Sequence, residues 1–178
     1  AYIKNFSISY TDIHVINCPE VLKMKKICNL VVKYVTIFVF CGLSYVGLEL
    51  LYRQRSHYTM FLLAGLCGTL FLSILNNFYT YETDYLFQVL ICGILCTTSE
   101  WICGRLFNSD YRIWDYRELP FSSPDGQINL FFAITWCVIC AVFIPVLDFI
   151  EWKIFHYHEE ISPYYMILGK KFTPYDEN

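Results

Sequence analysis

Apolar residues in this chain do not alternate with polar ones, nor do they keep to one helical face. They collect into four nearly unbroken blocks. We place these at Leu30–Tyr52, Tyr58–Asn77, Tyr85–Phe107 and Ile128–Ile150. Each is close to the ~20 residues that a helix rising ~1.5 Å per residue needs to cross a ~30 Å hydrocarbon layer. The connections 53–57 and 78–84 are short, which forces antiparallel neighbours, whereas 108–127 is long, polar and aromatic. The expected fold is all-α, an integral membrane bundle of four transmembrane helices over 28–150 with a long loop between helices 3 and 4. A polar N-terminal appendage (1–27) and an amphipathic, polar C-terminal tail (151–178) flank it. An even number of crossings puts both flanks and the 78–84 turn on one side, the terminal side. The first and third connections define the opposite, loop side.

Helices pack in lipid through small residues that let backbones approach. Gly65, Thr69 and Ser73 recur every four residues in the second block, with Ala64 and Gly68 beside them. In the third block Cys92, Cys96, Glu100 and Gly104 form one small, polar face that is expected to look into the bundle. Pro145 removes a backbone donor from the fourth block and is expected to kink it near its terminal-side end.

Ionisable groups inside a span cost ~2.5–3.5 kcal/mol on insertion scales, so they become candidates for function. Glu100 lies about two helical turns before the end of the third block, and Glu49 about one turn before the end of the first. Antiparallel threading brings both to the loop side. Arg53, four residues after Glu49, is placed to pair with it. His57, Arg105, Gln127 and Asn129 stand at block edges on the same side. The long loop adds Trp114, Asp115 and Tyr116 above them. Its length suits a lid or binding element. Trp114, Tyr116 and Phe121 are expected to anchor it in the interface, Pro124-Asp125-Gly126 to turn tightly, and Asp115 to point toward Arg105 or Arg53. These ten residues, Glu49, Arg53, His57, Glu100, Arg105, Trp114, Asp115, Tyr116, Gln127 and Asn129, are the candidate ligand-binding set. On the terminal side Lys33, Asn76, Asn77, Asp84 and Asp148 stand near the boundary, where side chains can snorkel to water, and that half of the membrane is expected to be nearly bare.

Composition sharpens the class. Charged residues make up 16% of the chain, against about 25% in an average soluble domain. A net charge of -3 with no basic stripe excludes a nucleic acid partner and leaves the lipid bilayer as the first one. Seven of the nine cysteines fall inside the apolar blocks, which favours free thiols packed as small apolar groups over a metal site. His156, His158, Glu159 and Glu160 in the tail read as a solvated, mixed-charge segment rather than a metal site. No metal and no cofactor is expected. Without an apolar secretory signal before Lys26, the first block is expected to serve as the insertion signal. Lysine and arginine divide almost evenly between the two sides, and the termini are placed in the cytoplasm because tails without a signal usually stay there.

Three stretches carry a resemblance. They are G-L-E-L-L-Y-R-Q-R-S-H-Y-T-M-F-L-L-A-G-L-C from Gly47 to Cys67, E-W-I-C-G from Glu100 to Gly104, and W-D-Y-R-E-L-P-F followed by G-Q-I-N-L between Trp114 and Leu130. In these the chain resembles the CmpB-like ABC-transporter type IV family, whose members carry an ABC transporter permease label. The chain departs from the family pattern at Tyr52, Gln54, Ser56 and Tyr58, at Arg117, over Ser122-Ser123-Pro124-Asp125 and at Asn129. The resemblance implies a four-span bacterial inner-membrane protein with a transport role.

Two readings from different classes follow. In the first, the protein is a permease-like subunit that binds an anionic solute or lipid headgroup in a pocket open to one membrane face, with a homo-oligomer or a partner ATPase completing it. In the second, it is a membrane-embedded enzyme acting on a lipid-like substrate. Glu100 would then work as acid or base with His57 or Asp115, and all three would have to meet in one cavity. A holin-like or structural role ranks third.

Overall fold

The computed structural model of the chain describes residues 19–80, 82–156 and 162–175. Four helices long and apolar enough to span a membrane account for most of it. Helix α1 covers Pro19–Arg53. It starts where a missing proline N–H costs nothing, with Glu20 in the first turn facing the positive end of the helix dipole. Its 35 residues measure about 52 Å, far more than a bilayer core, so its first turns extend past the apolar layer on the terminal side. Gln54, at φ 56°, ends it.

Helix α2 runs over Tyr58–Cys67 and continues as a π-helical stretch, Gly68–Leu75, and a single 3₁₀ turn, Asn76–Phe78. The wider π turn rotates Ser73 inward, where it is almost fully buried. Helices α3 (Tyr85–Phe107) and α4 (Leu130–Lys153) complete the bundle. A small hairpin follows, β1 (Tyr165–Ile167) paired antiparallel with β2 (Lys170–Phe172). The bundle, its four spans and its all-α class are those expected from the apolar blocks.

Small residues set the packing as anticipated. Gly42 on α1 lies against Phe61, Gly65 on α2 against Phe38, and Gly68 against Cys41, so that a Cβ at any of them would collide. Gly93 on α3 takes the Cys137 side chain of α4 in the same way. The face Cys92, Cys96, Glu100, Gly104 is buried throughout. Cys96 and Cys140 meet at 3.9 Å between sulfurs in the middle of the bundle, as thiols.

The proline in α4 shows how the fold repairs its own defect. Pro145 cannot donate to the Ala141 carbonyl four residues earlier, and the Tyr85 hydroxyl of α3 donates to that oxygen instead. The Tyr175 hydroxyl, from the tail, donates to the Pro145 carbonyl at 2.8 Å. The hairpin is likewise tied down. Asp84 caps α3 through one carboxylate oxygen, accepting from the Leu86 amide, and through the other accepts from the Leu168 amide at 2.7 Å. Part of the C-terminal tail thus folds back onto the terminal-side end of the bundle.

The pairs α1–α2 and α3–α4 share the most extensive contacts. Between α1 and α4 the backbones stay apart and aromatic side chains cross the gap: Tyr45 stacks on Trp136 at 5.0 Å and Phe40 lies 6.0 Å from Phe143. Side chains rather than backbones thus close this seam.

Candidate functional site

In the loop-side half of the seam lies a groove of about 480 Å³. Its walls include Tyr45 and Leu48 from α1, and Phe132 and Ile139 from α4. Glu49 and Arg53, one turn apart on the last two turns of α1, stand at its loop-side end. Arg53 Nη2 donates to Glu49 in an ion pair, and Arg53 Nη1 donates to the Ile113 carbonyl at 3.0 Å. Ser56 Oγ donates to the second Glu49 oxygen at 2.5 Å. Arg53 Nε is buried and has no hydrogen-bond partner. A guanidinium has five N–H donors in a fixed fork, and Glu49 and the Ile113 carbonyl take one each, so the Nε donor is among those of a positive group left unspent at the groove.

Tyr116 closes the inner wall. Its ring stacks on Phe132 at 4.6 Å, and its hydroxyl donates to Glu100 Oε1 at 3.1 Å. Trp136 Nε1 donates to Glu100 Oε2 at 2.9 Å. Glu100, 2% exposed, therefore sits behind a wall of rings, both oxygens taken by neutral donors. Burial, reinforced by the Glu100 carboxylate, pushes the Tyr116 phenol far above its ordinary range, so it stays a donor.

The rest of the candidate set divides into loop anchors and outward-facing groups. Asn108, at the end of α3, donates through Nδ2 to the Trp114 carbonyl at 2.7 Å and accepts the Ile113 amide at 2.9 Å. Gln127 returns Nε2 to the Asn108 carbonyl at 3.2 Å, and Trp114 Nε1 donates to the Gln127 carbonyl at 2.9 Å. This clasp lies against Gly104, where a Cβ would strike Gln127 and Trp114. Asn129 caps α4, accepting the Phe131 amide at 2.9 Å, and donates to the Pro120 carbonyl and Ser122 Oγ, both at 2.8 Å. The turn at Pro124-Asp125-Gly126 forms, with the Gly126 amide on the Ser123 carbonyl at 2.8 Å and Gly126 at φ 61°.

Several orientations differ from those expected. Trp114 and Tyr116 insert into the bundle instead of lying in the interface, because their N–H and O–H find buried acceptors there. Phe121 alone of the three points outward, 70% exposed. Asp115 turns away from Arg105 and Arg53 and pairs with Arg117 at 2.7 Å, and the Arg117 guanidinium holds its carboxyl down at about 2. Arg105 is an exposed partner of Asp125, 3.5 Å away. The hydrogen bond from Ser123, then those from the Trp101 indole and the Gln127 amide, with Arg105 adding its charge, hold the Asp125 carboxyl below its usual range. His57 caps α2, accepting the Thr59 amide at 3.3 Å, and packs on Tyr58. Glu100, His57 and Asp115 each have separate partners, and no hydrogen bond among the described residues joins any two of them.

The terminal side, expected to be nearly bare, carries a second buried polar layer. Lys33 of α1 and Glu151 of α4 form an ion pair of 2.8 Å, almost fully buried on both sides. Ser73 and Asn77, on the end of α2, also donate to Glu151, the latter at 2.8 Å. Asp148 accepts from Asn76 Nδ2 at 3.2 Å and from the Tyr165 hydroxyl at 2.7 Å. Placing the end of the fourth block at Ile150 hid Glu151, although Lys33 and Glu151 have opposite charge at matching depth in antiparallel helices. Lys33 and Glu49 are 16 residues apart on α1, about 24 Å along its axis, so the two polar layers bracket the apolar middle of the membrane. Of the tail residues weighed for a metal, only His156 is described; His158, Glu159 and Glu160 lie outside the described residues.

A comparison with family models gives a match over residues 34–170 to the family described as "Putative ABC-transporter type IV". The match spans well over half of the chain, including the groove, the clasped loop and part of the hairpin. The chain belongs to this family. Comparisons with curated proteins and with solved structures give no match. A multi-pass, transport-type membrane protein is what the family and the four apolar helices together establish.

Proposed function

We propose that this family member is a transport subunit that takes an amphiphile from the bilayer, holding its anionic head at Arg53 and its apolar part in the groove between α1 and α4. The observation that carries this is the unspent Arg53 Nε at the end of an open-sided, aromatic-walled groove. An oxygen of a phosphate or carboxylate head would accept from Nε, and the bond would be charge-assisted. The apolar walls suit acyl chain rather than a free solute, because a hydrated ion gains nothing from Phe132, Ile139 and Leu48. Glu49 acts as the resting counter-charge that keeps Arg53 neutralised when no head is present.

The described residues of one chain form no polar route across. Between the two polar layers its buried middle is Leu63, Cys67, Cys96, Cys140, Ile144 and Leu147. Transport therefore calls for a second copy or partner subunits, among them an ATPase, and co-purification in mild detergent tests this. The cytoplasmic placement of the termini belongs to the same proposal. A membrane-impermeant maleimide should label Arg117→Cys in intact cells and spare the native Cys28, and the reverse pattern would invert the topology.

Native mass spectrometry of protein released from membranes with its lipids tests the head site. Wild type should retain an anionic amphiphile, and Arg53→Gln should bind it about tenfold or more weakly, the loss of ~1.4 kcal/mol or more of charge-assisted bonding. Glu49→Gln, which frees Arg53 from its internal partner, should bind more tightly. Equal retention in all three proteins would remove the proposal.

A further inference from the structure

Beneath the hairpin on the terminal side, at the far end of the molecule from the groove, lies a cavity of about 300 Å³. Asn76, Asp148, Glu151 and Tyr165 contribute polar groups to its lining, and Tyr79 and Trp152 contribute rings. Two features of it are unusual. The first is the charge count. Glu151 is bonded by Lys33, whereas the hydrogen bonds to Asp148 from the described residues come from neutral groups, the Asn76 amide and the Tyr165 hydroxyl. Lys153 and Lys171 are close in sequence or fold but sit over the Trp152 and Tyr164 rings, at 4.0 and 4.1 Å, and neither is among the described residues lining the cavity. Among the described residues, two carboxylates, Asp148 and Glu151, thus line the cavity, and the one cation bonded to either is Lys33, on Glu151. The second feature is Asn76 itself. It is 8% exposed, its Nδ2 is spent on Asp148, and its Oδ1 is buried with no hydrogen-bond partner. An orphaned buried acceptor is rare in a folded protein and calls for a donor or a cation.

We propose that Asp148 and the Asn76 amide oxygen form a binding site for one monovalent cation in the cavity under the C-terminal hairpin. The ligands on offer are hard oxygens, namely a carboxylate, an amide carbonyl and the oxygen of the Tyr165 hydroxyl, which suit an alkali ion or the N–H groups of a small ammonium. One net negative charge matches one positive charge. A divalent ion would need the second carboxylate, and Lys33 holds that. The cavity is wider than a bare ion, so water completes the shell of an alkali ion, whereas methylammonium would set its methyl group against the rings and leave the remaining space to water. The hairpin roof, fixed by the bonds from Tyr165 to Asp148 and from the Leu168 amide to Asp84, makes the site part of the folded tail. Occupancy should therefore stabilise the tail against the bundle.

The full chain in nanodiscs, melted at constant ionic strength in the chlorides of sodium, potassium, methylammonium, magnesium or N-methyl-D-glucamine, tests this. At tenfold Kd, one of the three small monovalent cations should raise Tm by about 3–6 °C over N-methyl-D-glucamine, with saturation. Which cation does so distinguishes an alkali site from an ammonium site. The shift should vanish in Asp148→Asn, a neutral replacement that keeps the Tyr165 and Asn76 bonds. If that variant does not fold, Asn76→Ala, expected to weaken the response about tenfold, serves in its place. Arg53→Gln should respond like wild type, which separates this site from the groove. Equal Tm in all the chlorides, a shift confined to magnesium, or a shift that persists in Asp148→Asn would each overturn the proposal.

Discussion

Glu100 owes its place to two neutral donors, the Tyr116 hydroxyl and the Trp136 indole, and not to a cation. Glu100→Leu would strip both of their acceptor inside the bundle, and a buried donor left unmet costs about 1–3 kcal/mol. Glu100→Gln keeps one acceptor oxygen, and the Tyr116 hydroxyl can reverse to accept from the new amide, so its cost should be the smaller. Thermal unfolding in nanodiscs should rank the proteins wild type, Gln, Leu. Equal melting of wild type and Glu100→Leu would show that the two hydrogen bonds contribute little. At this scale the sequence was partly legible. The spacing of Cys92, Cys96, Glu100 and Gly104 predicts an inward face, and the i, i+4 relation of Glu49 and Arg53 predicts their pair. The directions of Trp114, Tyr116 and Asp115 were not legible. They depend on acceptors that only the folded loop supplies, and Asp115 has Arg117 two residues away as a competitor for any distant arginine.

Helices α1 and α4, whose backbones stay apart, are tied at the terminal side by Lys33 and Glu151. Removing one partner of a buried pair leaves the other charge stranded, at ~3–5 kcal/mol. Lys33→Met alone should therefore destabilise the bundle severely. The double change Lys33→Met with Glu151→Gln should recover most of the loss, because a neutral amide can still bond Ser73 and Asn77. A double-mutant cycle by chemical or thermal unfolding checks this, and additive losses would contradict it. The loop between α3 and α4 depends on Asp125, which is bonded by Ser123, Trp101 and the Gln127 amide. Its carboxyl is held below the ordinary value, so its contribution is complete above that value and is lost as pH falls toward the lower folded one. Amide exchange at 123–128, corrected for intrinsic rate, should stay flat from pH 7 to about pH 4 and quicken below. Asp125→Asn should abolish the step, and an onset near pH 6 would show another group in charge. Existence and order of the helices were readable from the apolar blocks. The π stretch at Gly68–Leu75 was not, since it goes with the bond from Ser73 to Glu151, a contact between residues 78 positions apart.

For the molecule as a whole, the arrangement is two polar layers at the edges of an apolar middle, a lateral groove above and a covered cavity below. The loop-side layer was foreseeable because each of the four blocks has a polar residue at or beside its loop-side end. The terminal-side layer was obscured because each of its members lies near a block boundary, where a charged residue ordinarily reaches water, and only the folded tail, through Tyr165, turns that edge into an interior. A family label for transport and four helices do not fix what is carried; the groove does, if Arg53 receives a head. The most direct measurement is a cryo-electron microscopy map of the protein in nanodiscs of native lipid, at a resolution that separates a head from its chains. The account predicts density in the seam between α1 and α4, with a head oxygen within hydrogen-bonding distance of Arg53 Nε and chains along Phe132 and Ile139. A groove closed by direct contact of α1 with α4, or one holding chains whose heads lie away from Arg53, would contradict it.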